Sequence, residues 1–256
     1  MPKAEYLLTY QGLVQEQMHK QARFKADRFV NIRDRSDTCE IPSSAWPPII
    51  KGSYLQHWKD IAIQKGITEM VLYPMLVHEL QPKTIIELGA FNGGSAVWLA
   101  DHLELFGIQG RIYSVDIELS FLDEKARSDE RISFLEGDCN NISAVFTPEM
   151  LSSFKHPWLF IDDAHVNVVG VLEYFHHNGL QTGDYVIIED TNQFCWDYWT
   201  TCWGDKDNTD VMKAEKGENL TDFFVKHQYE YRVDTHYQDM FGYNGSKCWN
   251  SILKRV

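Results

Sequence analysis

The sequence predicts an open α/β fold: a mostly parallel sheet with helices on both faces, preceded by a helical extension. Three observations predict it. Strand-like and helix-like segments alternate from Pro82 to Asp190, which is the succession of βαβ units. Runs such as Trp158-Leu-Phe-Ile161 and Tyr185-Val-Ile-Ile188 are short and unbroken in their apolar character, as strands covered on both faces must be. Glycines or acids then stand at the ends of these runs, where open parallel sheets bind their ligands.

Taken in order, Ala4 to about Val30 carries Leu7, Leu8, Leu13, Val14, Met18, Phe24 and Phe29 at roughly helical spacing, which predicts one or two amphipathic helices. Such an extension packs on a partner or over a site. Asp34 to Pro48, with Pro42, Pro47 and Pro48, reads as an irregular linker. Gly66 to Leu80 is helical again, and Pro82 turns the chain into the sheet. Strands follow at Thr84–Leu88, Arg111–Asp116, Ile132–Leu135, Pro157–Asp162 and Asp184–Glu189, with helices at Ser95–Leu105 and Val166–Asn178. A helix near Asn219 to His227 leads to strand-like pieces at Tyr229–Tyr237 and Cys248–Arg255, expected as a terminal antiparallel hairpin. The sheet so predicted has seven strands. The organisation expected is an extension over 1–82 and one catalytic domain over 83–256. Gly204-Asp-Lys-Asp207 and Glu215-Lys-Gly-Glu218 read as solvated loops.

Composition narrows the function. A chain of 256 residues holds one well-buried domain with decoration. Its net charge of -13 leaves no broad basic surface, so nucleic acid is not expected as a partner. No apolar run reaches the roughly 20 residues that cross a bilayer, and the start Met-Pro-Lys-Ala-Glu is unlike a secretory signal, so a cytoplasmic protein is expected. Cys39, Cys139, Cys195, Cys202 and Cys248 form an odd set without a Cys-x-x-Cys pair. Reduced thiols are expected rather than a zinc knuckle.

The chemistry resides at strand ends. Thr84-Ile-Ile-Glu-Leu-Gly-Ala-Phe-Asn-Gly-Gly-Ser95 runs from a strand through glycines into a helix, a turn that lets backbone amides approach a nucleotide. Its spacing, Glu87-x-Gly89-x-x-x-Gly93, differs from the Gly-x-Gly-x-x-Gly of a dinucleotide cradle and points to S-adenosylmethionine. Glu87 is expected to meet the methionine ammonium or to order the turn, together with Asn92 and Ser95. Asp116, ending the second strand, suits a ribose diol. Asp138, in Gly137-Asp-Cys139, suits the adenine amine; otherwise it is a plain turn residue.

Asp162-Asp163 and Glu189-Asp190 place two acidic pairs at neighbouring strand ends, and successive strand side chains point to opposite faces, so only some of the four can meet. Three converging carboxylates without cysteine or histidine make a hard-cation site, for Mg²⁺ before Ca²⁺. Helix capping explains one acid per junction but not two. His165, beside them, has the pKa range of a general base, although a histidine near a helix start is more often structural. The aromatic run Phe194 to Trp203 is expected to line an acceptor pocket, with a core helix or a subunit contact as its alternative.

At these residues the chain resembles the cephalosporin hydroxylase / rhamnosyl O-methyltransferase family. The matching strings are the Thr84–Ser95 turn, Glu136-Gly-Asp-Cys139, His156-Pro-Trp-Leu-Phe-Ile-Asp-Asp-Ala-His165 and Gly183-Asp-Tyr-Val-Ile-Ile-Glu-Asp190. The resemblance covers roughly Trp58 to Asp190 and leaves the first 45 residues and Thr191–Glu218 unmatched. It implies a Rossmann-like class I methyltransferase fold, S-adenosylmethionine as donor, a magnesium ion held by Asp163, Glu189 and Asp190, and often an oligomer. The hydroxylase part of the name has little support, because no His-x-Asp or His-x-Glu occurs.

The expected reaction is Mg²⁺-dependent (or Mn²⁺-dependent) O-methylation of a hydroxylated small molecule such as a polyketide or glycosylated product, with Asp163 and His165 at the reacting oxygen. A nicotinamide-dependent oxidoreductase shares the fold but lacks its glycine fingerprint here. A non-catalytic scaffold that kept the fold would still bind the cofactor, and metal affinity unchanged when Asp163, Glu189 and Asp190 become alanine would favour it.

Overall fold

The computed structural model describes residues 3–204 and 206–256; readings that rested on the Phe24 and Trp203 side chains or on Asp205 lie outside the described residues. The strands are β1 (Phe29–Val30), β2 (His57–Trp58), β3 (Ile61–Ala62), β4 (Thr84–Leu88), β5 (Arg111–Asp116), β6 (Ile132–Glu136), β7 (Trp158–Asp162), β8 (Tyr185–Ile188), β9 (Tyr231–Asp234) and β10 (Ile252–Arg255). The helices are α1 (Lys3–Ala26), α2 (Trp46–Ser53), α3 (Glu69–Leu80), α4 (Gly94–Leu105), α5 (Glu124–Arg127), α6 (Ile142–Val145), α7 (Pro148–Ser152), α8 (Val168–Asn178), α9 (Gln193–Trp203), α10 (Lys206–Lys216), α11 (Glu218–Lys226) and α12 (Thr235–Gln238).

The main sheet has the order β1-β9-β10-β8-β7-β4-β5-β6. From β8 to β6 all neighbours are parallel, whereas β10 runs antiparallel to β8, and β9 to β10. This is the mostly parallel sheet with a terminal antiparallel pair that the sequence predicts, with one strand more, and the class I methyltransferase architecture that the family resemblance implies. The extra strand is β1, which pairs Phe29 with Asp234 and Val30 with Val233, so the chain after α1 returns to cover the free edge of β9. Because β5 and β6 are laid on one side of β4 and β7 and β8 on the other, the strand order reverses at β4, and a crevice opens beyond the carboxyl ends of β4 and β7.

Two apolar layers flank the sheet. One contains Ile86, Leu88, Phe160, Val186 and Ile188 packed against Leu172 and Phe175 of α8 and Phe223 of α11. The other sets Ile85, Ile112, Ile161 and Ile187 against Leu72 and Leu76 of α3 and Val97 and Leu99 of α4. A third, smaller cluster joins Trp46 and Ile50 of α2 to Cys195, Trp196 and Trp199 of α9.

Two expectations need correction. The segment read as a linker ends inside α2, because Pro47 and Pro48 sit in the helix's first turn, where a missing N–H costs nothing. The charge runs read as loops belong to helices: Gly204 caps α9 at φ +67, and Lys216 ends α10 with its side chain buried. On α1, Leu7, Leu8, Leu13 and Met18 face solvent. No described helix is long and apolar enough to cross a membrane.

The crossing of α4 over the small β2–β3 hairpin depends on Gly94, where a Cβ would lie 2.0 Å from the Ala62 carbonyl oxygen. Since a backbone atom cannot yield as a side chain can, Gly94→Ala is expected to cost about 1–3 kcal/mol, read as a lower urea midpoint with unchanged m-value.

Candidate active site

A cavity of about 480 Å³ opens at the point where the strand order reverses. Gly89, Phe91, Asp116, Ile117 and Asp138 line one part of it; Tyr54, Trp199, Asp163, His165, Asp190 and Lys247 line the other. The volume lies within the usual range for small-molecule sites.

On the first side, the turn after β4 is fixed by backbone bonds. Gly89 and Ala90 both donate to the Val115 carbonyl, at 2.8 and 2.9 Å. Gly89 has φ +95, and a Cβ there would come within 3.0 Å of the Asp163 carbonyl, so only glycine lets the ends of β4 and β7 lie this close. Phe91 follows at φ +44, uncommon for a residue with a side chain. Its N–H donates to Asp116 Oδ2 at 2.7 Å, and the Glu118 N–H donates to Oδ1 at 3.5 Å, which orients this carboxylate where it lines the cavity. Asp138 Oδ1 accepts from the Asn140 N–H at 2.8 Å, capping the turn while the residue still lines the cavity.

Five predicted residues do not line the cavity: Glu189, described below, and four of the cofactor set. Asn92 Oδ1 accepts from the Gly94 N–H at 3.2 Å. Gly93, at φ +82, has no room for a Cβ beside Ala126 and Phe134. Ser95 is buried in the first turn of α4. Glu87 is fully buried, accepts from Ser114 Oγ at 2.6 Å, and is pushed upward in pKa by burial, with Lys65 opposing; its Oε1 has no hydrogen-bond partner.

On the second side three of the four acids, Asp163, Glu189 and Asp190, gather around Lys65 and Lys247. Asp162 turns away from the cluster, where burial pushes its carboxyl up to about 7. Asp163, His165 and Asp190 converge, with ligand atoms within 4.8 Å of one another. Asp190 reaches inward because its backbone is held at φ +58, a conformation that aspartate tolerates better than most residues. Glu189 is fully buried; its Oε1 accepts from Tyr73 OH at 2.6 Å and from Lys65 Nζ at 2.5 Å, while Oε2 has no hydrogen-bond partner.

Sequence reasoning missed the counter-ions. Lys65 Nζ bridges Glu189 and Asp163, lying 2.7 Å from Asp163 Oδ2. Lys247 Nζ lies 2.7 Å from Asp190 Oδ1, and Lys216 Nζ donates to the Glu189 carbonyl at 2.8 Å. All three lysines are buried. Burial works to raise the Asp190 pKa, but Lys247 and Lys216 outweigh it and hold the carboxylate at about 2. Glu189 is pushed up to about 7 by burial and by Asp163. Burial and then Lys216 push His165 down to about 4, so its imidazole is neutral around pH 7. Its Nε2 stands 3.8 Å from Asp190 Oδ2.

The aromatic run divides between core and cavity. Trp196 is core, its indole N–H donating to the Asp190 carbonyl at 2.6 Å, while Trp199 reaches the cavity and donates to Tyr54 OH at 3.1 Å.

An open sheet with its ligand crevice at the strand reversal, closed by an antiparallel terminal pair, defines a class I methyltransferase fold. The family model described as rhamnosyl O-methyltransferase/CmcI matches residues 51–256, and the chain belongs to that family. The rhamnosyl O-methyltransferase of Mycobacterium tuberculosis (strain ATCC 25618 / H37Rv) is 29% identical over 132 residues, covering 50% of this chain and 54% of that protein. That of Mycobacterium leprae (strain TN) is 30% identical over 141 residues, covering 53% and 60%. The chain thus spans little more than half the length of these curated relatives. A solved structure named cmcI-D160 Mg-SAM superposes with a TM-score of 0.61 at 27% identity, covering 79% of this chain and 77% of that one. One named cmcI-N160 SAH gives 0.58 at 27%, covering 78% and 82%.

Proposed function

We propose that this chain is an S-adenosylmethionine-dependent O-methyltransferase acting on a hydroxylated small molecule, with a divalent cation, Mg²⁺ or Mn²⁺, held by Asp163, Glu189 and Asp190. The observation that carries the reading is one cavity lined by the nucleoside-type residues Gly89, Asp116 and Asp138 and, against them, by Asp163, His165 and Asp190. The donor set suits a hard cation, and the buried, unpartnered Oε2 of Glu189 leaves an oxygen for it.

When bound, the donor supplies an electrophilic methyl group and the cation lowers the pKa of the acceptor hydroxyl. Asp116 holds the ribose, its second oxygen already fixed by Phe91. Asp163 and Asp190, with Glu189, would hold the cation beside the acceptor, and His165, whose ligand atom lies within 4.8 Å of those of Asp163 and Asp190, would take the hydroxyl proton. Tyr54 and Trp199 supply an apolar wall that excludes water and suits an aromatic or glycosylated acceptor. Self-association belongs to the same reading, supported by the exposed apolar residues of α1, and sedimentation velocity reads it directly.

The decisive experiment combines S-adenosylhomocysteine, Mg²⁺ and a panel of diols, and looks for thermal stabilisation that needs all three. Stabilisation by none of them sinks the proposal. Within this scheme, Asp116→Ala is expected to weaken S-adenosylhomocysteine binding about ten- to a hundred-fold by calorimetry, the worth of hydrogen bonds to a charged group.

A second reading has its own support. Lys65 and Lys247 already balance the carboxylates, as an ion would, which favours transfer without a metal. Turnover that survives exhaustive chelation selects this reading; turnover restored only by Mg²⁺ or Mn²⁺ rejects it.

A further inference from the structure

A second cluster of metal-type ligands lies at the other end of the sheet. His176 is in the last turn of α8, and His227 and Glu230 follow α11 on the way into β9. Tyr231 and Arg255, which border them, pair with each other beside the amino end of β8, whereas the cavity lies beyond its carboxyl end. We propose that His176, His227 and Glu230 form a binding site for a borderline transition ion, Zn²⁺ foremost, separate from the methyl-transfer cavity.

One ligand atom from each residue lies within 4.8 Å of the others. The side chains of His176 and His227 are 7% and 8% exposed, so both imidazoles are held rather than waving in solvent. The His176 ring is fixed by Tyr231 OH, 3.0 Å from Nδ1, which leaves Nε2 on the side of Glu230, 3.8 Å away. A hydrogen bond on one ring nitrogen that orients the other is the usual support for a metal-binding histidine.

The observation that points to a ligand is His227. Among the described residues its buried Nε2 has no hydrogen-bond partner and stands 3.6 Å from Glu173 Oε2, while its Nδ1 stands 3.5 Å from Glu230 Oε2, so both ring nitrogens are near a carboxylate without bonding to one. A purely structural histidine at this depth would be expected to satisfy both ring nitrogens. Arg255 lies beside this site, its Nη1 donating to the carbonyls of His176 and Leu180. Two imidazoles and one carboxylate suit Zn²⁺, and poorly suit Mg²⁺. With three protein ligands, one position remains for water, and the half-exposed Glu230 leaves the site open to solvent on its side. An ion here would tie α8 to the start of β9.

The test uses untagged protein stripped with chelator and then given Zn²⁺ in excess Mg²⁺, with bound metal measured by plasma mass spectrometry after dialysis. Asp163→Asn/Asp190→Asn protein should retain one Zn²⁺, and His227→Gln/Glu230→Gln should bind it at least ten-fold more weakly, with S-adenosylhomocysteine binding intact as the check on folding. Co²⁺ in its place should give the intense visible bands of a low-coordinate site, lost in the same variant. Should the double variant fail to fold, Glu230→Gln alone decides, because its side chain is 43% exposed. Zn²⁺ uptake unchanged by loss of His227 and Glu230, or absent when Asp163 and Asp190 are replaced, overturns the proposal. Neither outcome bears on methyl transfer.

Discussion

Asp163→Asn and Asp190→Asn are each expected to lower turnover about a thousand-fold and to abolish stoichiometric Mg²⁺ uptake, with S-adenosylhomocysteine affinity nearly unchanged. The magnitude follows from the several kcal/mol that a Lewis acid contributes to a developing alkoxide, at about 1.4 kcal/mol per decade of rate. The separation of effects follows from the geometry: these oxygens converge with His165, while the nucleoside residues Asp116 and Asp138 occupy the other part of the cavity. His165→Gln supplies the contrast, with turnover down about 10²–10⁴-fold and cation uptake kept. Calorimetry with Mg²⁺ on the three variants separates the roles. Uptake retained by both Asn variants would remove Asp163 and Asp190 from the cation site.

Lys65→Met is expected to destabilise the protein by about 3–5 kcal/mol, because it strands Glu189 without its ammonium partner in a fully buried position. For a chain of this size that is a drop in Tm of roughly 10 °C or more. The cost should depend on pH. Glu189 has a folded pKa raised to about 7 against roughly 4.3 unfolded, so its burial costs stability increasingly as pH rises from about 4 to 7 and steadily above. Without Lys65 the folded pKa rises further, and the penalty keeps growing beyond pH 7. The gap between wild type and variant should therefore widen on going from pH 6 to pH 9 in urea titrations. Lys65→Met/Glu189→Gln should recover much of the loss. A constant gap across that range would show that packing, not charge, explains Lys65.

The sheet was legible because its signal is local. Arg111–Asp116 is a strand with the predicted bounds, and Thr84–Leu88 likewise, since a strand buried on both faces must be written as a continuous apolar run. The acids at strand ends were legible for the same reason: position in the fold follows from position in the strand. Lys65, Lys247 and Tyr73 were not, because a single lysine or tyrosine in a loop or helix carries no period, and each meets its carboxylate only after the chain has doubled back. Lys216 was hidden by its neighbours Glu215 and Glu218, which make the segment look solvated. The helix α2 was hidden by Pro47 and Pro48, which stop a helix in its interior and start one at its first turn. Phe29–Val30 is too short for any alternation to show.

Lys247 arrives from the far side of the sequence, and its own N–H is held by Glu69 at 2.8 Å, across 178 residues. Lys65 reaches Glu189 across 124. Contacts so distant along the chain can close only after the intervening strands are in register. The chemical centre is therefore assembled last: a nascent or partly unfolded molecule carries its carboxylates bare, and catalytic competence reports that the whole chain from α3 to the terminal hairpin has been threaded into place.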